Sequence, residues 1–145
     1  MTAHLLDVNV LIALLWPAHE SHETALNWFQ RNARHGWATC PFTQAGFVRV
    51  VSNPSFSQEA VTPQEAISLL EANLRHPEHR FWSDDLGLME ATQPFVGKRM
   101  GHRQVTDAYL LGLALKRKGK LVSLDQSIAE LLTGKSVERD WLVVL

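Results

Sequence analysis

Short apolar runs alternate along this chain with longer stretches in which apolar positions recur every three or four residues. That alternation predicts strands threaded between amphipathic helices. His4 to Leu6 reads as a short buried strand that gives out at Asp7. Val10 to Trp16 is a brief apolar helix ended by Pro17, and Ser21 caps a second helix through about Arg34. Gly36 to Cys40 suits a second strand that Pro41 stops, and Thr43 to Val51 returns to helical spacing until Asn53-Pro54 breaks it. Thr62-Pro63-Gln64-Glu65 combines an N-cap Thr, a Pro at the first helical position and a capping-box Glu. The helix it opens ends before Pro77.

In the second half, Arg80 to Trp82 predicts a third strand, with a short helix from about Asp84. Gln93 to Gln104, with Pro94, Gly97 and Gly101, reads as a loop. Val105 to Lys118 is a strong helix with basic residues in its last turn and Gly119 suited to the C′ position. Leu121 to Leu124 makes a fourth strand, Gln126 to Leu132 a helix and Trp141 to Leu145 a final strand. Strands alternating with helices predict an α/β fold with a mainly parallel central sheet and helices on both faces. No internal repeat or linker interrupts the pattern, so residues 1–145 are read as a single domain.

Composition narrows the class. Hydrophobic residues make up 46% and charged residues 20%, as in a globular domain. The net charge of −1 carries no global signature of nucleic-acid binding, so any basic surface is local. Cys40 stands alone, which excludes an intrachain disulfide and a cysteine-based zinc site. Met1-Thr2-Ala3-His4 lacks the basic start of a signal peptide, and no apolar run is long enough to span a membrane. The expected location is cytoplasmic.

Three aspartates stand out: Asp7 and Asp125, each where a strand gives out, and Asp107, in the first turn of a helix. A carboxylate beside an apolar run is costly unless its charge is compensated. In an open α/β sheet the carboxyl ends of the strands converge on one crevice. Three acids meeting there repel one another and call for a hard divalent cation, Mg²⁺ or Mn²⁺. The alternative reading makes each aspartate an ordinary helix cap or first-turn residue. Asn9, Thr106 and Ser123 sit beside the acids and are candidates to support them, or else a turn residue and a helix-start residue. Lys98, Arg99, His102 and Arg103 form a basic stretch before Asp107, suited to RNA phosphates or simply solvated.

The segments Leu6-Asp7-Val8-Asn9-Val10-Leu11, Thr106-Asp107-Ala108-Tyr109-Leu110 and Leu121-Val122-Ser123-Leu124-Asp125 resemble, in order and spacing, those of PIN-domain proteins. Within that superfamily the chain is similar to VapC-type ribonuclease toxins. The stretch from Thr39 to Val50 resembles a subgroup of actinobacterial toxins. The resemblance implies a Rossmann-like α/β/α sandwich and a metal-dependent endoribonuclease in which Asp7, Asp107 and Asp125 bind Mg²⁺ or Mn²⁺ and carry catalysis. It also implies RNA as substrate, a VapB-type antitoxin as partner and a homodimer.

One position departs from the family pattern. The family carries a fourth acid, a Glu, on the helix after the second strand; aligning on Arg49 puts Gly46 there. Gln44 offers only a neutral amide, and Asp84 and Asp85 are the nearest acids that could stand in, with a helix N-terminus as their ordinary role. That departure keeps a second reading open, an inactive PIN domain serving as a binding or regulatory module.

Other features are discounted. The pairs His19/His22 and His76/His79 lack a third zinc ligand and read as surface-loop histidines. Trp16, Trp28 and Trp37 lie near apolar runs and read as core or dimer interface. Two other phosphate-handling α/β classes fit poorly. A haloacid-dehalogenase site wants an Asp at position 9, which is Asn, and a receiver domain wants its acidic pair near the first strand.

Overall fold

The computed structural model describes residues 2–97, 100–132 and 140–145. Its centre is a parallel sheet in the order β3-β2-β1-β4-β5, built from β1 (His4–Leu6), β2 (Trp37–Thr39), β3 (His79–Phe81), β4 (Lys120–Ser123) and β5 (Leu142–Val144). Leu5 lies opposite Ala38 on one side and Leu121 on the other; Val122 lies opposite Val143.

Because successive strand side chains point to opposite faces, the strands feed two cores. Leu5, Ala38 and Leu121 pack with α5 (Leu88–Thr92), α6 (Val105–Lys116) and the 3-10 segment Gln126–Leu132. Leu6, Trp37 and Val122 pack with α1 (Val8–Leu15), α2 (His22–Asn32), α3 (Pro41–Val51) and α4 (Pro63–Leu74). The result is the expected α/β/α sandwich. Strand order reverses between β1 and β4, and the crevice above such a switch point is where open parallel sheets place ligands. No helix among the described residues is long and apolar enough to cross a membrane.

Several boundaries differ from expectation for local reasons. The first helix begins at Val8 because the Asp7 carboxylate caps it, accepting from the Val8 N–H at 2.7 Å. Pro41 ends β2 but also opens α3, where a missing N–H costs nothing. The short helix α5 starts at Leu88 with Gly87 as its N-cap, so Asp84 and Asp85 do not cap it. Gln93–Phe95 and His102–Gln104 are 3-10 turns inside the expected loop, and Gln126–Leu132 is 3-10 rather than α. The capping box at Thr62 forms as read, with the Glu65 N–H donating to Thr62 Oγ1 at 3.1 Å.

At the end of α6 the left-handed residue is Lys118, with φ 56°, rather than Gly119. Lys118 N–H bonds Leu115 O and Gly119 N–H bonds Ala114 O, which closes the helix end in a Schellman arrangement. Gly119 serves a close approach instead: a Cβ there would lie 2.6 Å from both Ala3 O and the Trp82 ring.

The histidine pairs are structural and half-buried rather than solvated. His22 Nδ1 bonds Ala13 O at 2.8 Å, and His76 Nδ1 accepts from Trp37 Nε1 at 3.2 Å. His79 Nε2 bonds Thr39 Oγ1 at 2.8 Å. Trp37 is fully inside, stacked edge-on against Phe29, and Trp28 meets the ring of His4.

Candidate active site

Asp7 leaves β1 at its carboxyl end and is 6% exposed. Its two oxygens have separate holders. Oδ1 accepts from the Val8 N–H at 2.7 Å, and Oδ2 accepts from the Ser123 hydroxyl at 2.7 Å. Burial raises its carboxyl above the usual range; the Ser123 and Val8 hydrogen bonds oppose that rise, and the charge of Asp125 adds to it.

Ser123 ends β4, the neighbour of β1, and is fully buried. Its hydroxyl spends its proton on Asp7. Its lone pairs take Asn9 Nδ2 at 3.2 Å and the Asp125 N–H at 3.0 Å. Asn9 Oδ1 in turn accepts from the Leu124 N–H at 3.1 Å. Asn9 therefore orients Ser123 and the turn after β4, and reaches Asp7 only through that hydroxyl. On the far side, Asp125 Oδ1 accepts from the N–H and hydroxyl of Ser127 at 2.9 and 2.7 Å. Ser127 was missed in the sequence, although an Asp followed two residues later by Ser is the signature of an Asx-type turn. Gln104 ties this turn to the start of α6 by donating to Ser127 O at 3.1 Å.

Asp107 stands in the first turn of α6. Its pKa is pushed up to about 6, first by burial and then by the charges of Asp7 and Asp125. The three carboxylates thus share one electrostatic neighbourhood above the switch point. Among the described residues no three His, Cys, Asp or Glu side chains close to metal-holding distance. All three offer the hard oxygen donors that Mg²⁺ and Mn²⁺ take, so the donor set suits such an ion.

The remaining candidates fall apart from this group. Thr106 is exposed and faces a neighbouring recess with Asp84 and Tyr109. His102 and Arg103 are exposed in the 3-10 turn that precedes α6; Lys98 and Arg99 lie outside the described residues.

The position aligned with the fourth acid holds no carboxylate and has no room for one. Gly46 is buried against α1, and a Cβ there would sit 2.6 Å from Val8 Cγ2. Gln44 donates to Thr39 Oγ1 at 3.0 Å. Asp85 is ion-paired with Arg117 at 3.0 Å. The charge of Asp84 acts on Tyr109 and Cys40 rather than on Asp7 or Asp107.

The PIN-domain family model matches residues 4–131, a span that includes all three aspartates. The chain belongs to the PIN-domain family. Ribonuclease VapC39 of Mycobacterium tuberculosis is 44% identical over 138 residues, covering 95% of this PIN domain and 99% of that protein. Ribonuclease VapC38 of the same organism is 45% identical over 124 residues, 86% of each chain. Among solved structures, VapBC2 from Rickettsia felis, bound to a DNA fragment from its promoter, superposes with a TM-score of 0.62 at 14% identity. That match covers 90% of this chain and 93% of the other, and shows that the two share a fold.

Proposed function

We propose that this PIN domain is a Mg²⁺- or Mn²⁺-dependent endoribonuclease, the toxin of a VapBC-type pair, acting in the cytoplasm. The observation that carries the reading is the Ser123 hydroxyl, which joins Asp7 to the Asp125 turn at the carboxyl ends of β1 and β4; the raised carboxyl of Asp107, which feels both acids, agrees with it. The full-length similarity to proteins named as VapC ribonucleases supports the same activity.

Asp7, Asp107 and Asp125 would hold the cation. Once bound, the ion supplies positive charge to the phosphate and lowers the pKa of a nearby water. The protein's own contribution is orientation. Val8 and Ser123 fix the two oxygens of Asp7, and Ser127 fixes Oδ1 of Asp125, so both acids are oriented by their own neighbours. His102 and Arg103, exposed just before Asp107, would contact RNA phosphates.

A second reading, a PIN domain that binds without cutting, is favoured by the absence of an acid at Gly46. Incubating the purified protein with RNA decides between them. Endonucleolytic fragments that form with Mg²⁺ or Mn²⁺ and vanish with EDTA support the nuclease, and intact RNA under all conditions supports the binding module. The partners follow from the same reading: a VapB-type antitoxin and a second copy of this chain. Light scattering at micromolar concentration tests the homodimer, and a strictly monomeric protein rules it out.

A further inference from the structure

Beside the acid group, over the carboxyl ends of β2 and β3, lies an open recess of about 330 Å³. The ring of Phe42 stands at the mouth, 49% exposed on the first turn of α3. Tyr109 meets it at 5.1 Å between ring centres, and Val105 and Leu88 extend the apolar wall at 40% and 51% exposure. Large apolar side chains left open around one hollow mark a binding surface.

Two polar groups line the hollow, Thr106 and Asp84. Asp84 has no hydrogen bond or ion pair among the described residues, whereas its neighbours are all tied to α6. Arg117 donates to Ser83 O and to Asp85 Oδ1 at 3.0 Å each, and the Tyr109 hydroxyl donates to Leu86 O at 3.0 Å. The loop is therefore pinned on either side of Asp84, and this carboxylate, unpaired among the described residues, borders an aromatic hollow. Thr106, in that hollow, directly precedes Asp107 in the first turn of α6.

An apolar slot with a carboxylate at its rim suits a flat ring that carries adjacent N–H donors. We propose that this recess is a nucleobase subsite, in which an unpaired base next to the cleaved phosphate stacks on Phe42 and donates to Asp84. Recognition of splayed bases by aromatic stacking and edge hydrogen bonds is the common mode for single-stranded RNA. Guanine fits best, because its N1–H and N2–H lie side by side and match the two oxygens of a carboxylate. The inference rests on the RNA-cleaving function proposed above and adds its base selectivity. A carboxylate at the rim repels phosphate, so the recess selects by base and leaves the backbone to other groups.

The test compares wild type, Phe42→Ala and Asp84→Asn in two measurements. One maps cut sites in a random-sequence RNA with Mg²⁺; the other follows fluorescence anisotropy of labelled hexanucleotides with Ca²⁺ in its place. Phe42 and Asp84 are exposed, and circular dichroism checks that the variants remain folded. The expected results are a roughly tenfold weaker affinity for Phe42→Ala, the size of one lost base stack, and a loss of guanine preference for Asp84→Asn. Unchanged cut sites and affinities in both variants overturn the subsite while leaving the nuclease standing. A wild type that binds guanine-containing RNA through these residues without cutting it upholds the subsite and overturns the nuclease. If Phe42→Ala weakens binding of an antitoxin peptide but not of RNA, the recess is a protein-docking site and the proposal falls.

Discussion

The Ser123 hydroxyl donates a 2.7 Å hydrogen bond to Asp7 Oδ2, joining the ends of two adjacent strands whose residues lie 116 positions apart. Because Ser123 Oγ also accepts from Asn9 and from the Asp125 backbone, one buried side chain sets the positions of two of the three acids. Replacing it by alanine leaves a buried carboxylate oxygen, an amide and a backbone N–H without their partner. Ser123→Ala should destabilise the fold by about 1–3 kcal/mol and raise the Asp7 pKa further, since a bond that lowered it is lost. Denaturant melts and an NMR titration of the Asp7 carboxyl check both effects.

Asp107→Asn and Asp7→Asn keep shape and remove charge. Each should abolish Mg²⁺-dependent RNA cleavage while the protein stays folded, and Asp107→Asn should melt higher than wild type at pH 7.5 in EDTA, because it relieves repulsion from Asp7 and Asp125. Cleavage at the wild-type rate by folded mutants would remove these residues from the mechanism.

The raised Asp107 pKa fixes a direction for pH dependence. Between 3.8, its ordinary value, and about 6, the folded protein holds a proton that the unfolded chain has released. Stability of the metal-free protein therefore falls as pH rises through this window and levels off above it. Thermal melts in EDTA from pH 4 to 8 should show this slope in wild type and a shallower one in Asp107→Asn. Divalent affinity runs the other way, weakening by up to about tenfold per pH unit below pH 6 as the ion competes with that proton. Titration calorimetry at pH 5 and 7 reads the difference.

Gly46 lies in a helix interior, where alanine usually stabilises by about 1 kcal/mol. Here the added Cβ meets Val8 Cγ2 at 2.6 Å, on the residue whose N–H holds Asp7. Gly46→Ala should therefore destabilise, by about 1–3 kcal/mol as overpacking typically does, and lower cleavage by shifting Val8. Gly46→Glu, which nominally restores the fourth acid, should be worse folded and bind metal no better. An increase in metal affinity in a well-folded Gly46→Glu protein would show that α1 yields more readily than its packing implies.

The sequence by itself determined the elements and their order. Apolar runs and periodic stretches are local signals, and the capping box at Thr62 and the acids at strand ends depend on neighbouring residues only. It also put Asp7 and Asp125 after strands, and parallel strands connected through helices bring their carboxyl ends to one side. What lies across the chain belonged to the tertiary structure. The capping of α1 by Asp7 moved a boundary that periodicity had drawn differently, and Gln126–Leu132 kept its expected bounds but took the 3-10 form. That Ser123 reaches Asp7, and that Asn9 serves Ser123 instead of Asp7, follows from β1 and β4 pairing in register. Lys118 rather than Gly119 takes the left-handed turn after α6, while Ala3 and Trp82 leave Gly119 no space for a side chain. Likewise Gly46, which alignment placed in the role of an acid, is held as glycine by Val8 from another helix. Steric exclusion between elements distant in sequence leaves no periodic trace, and only packing decides it.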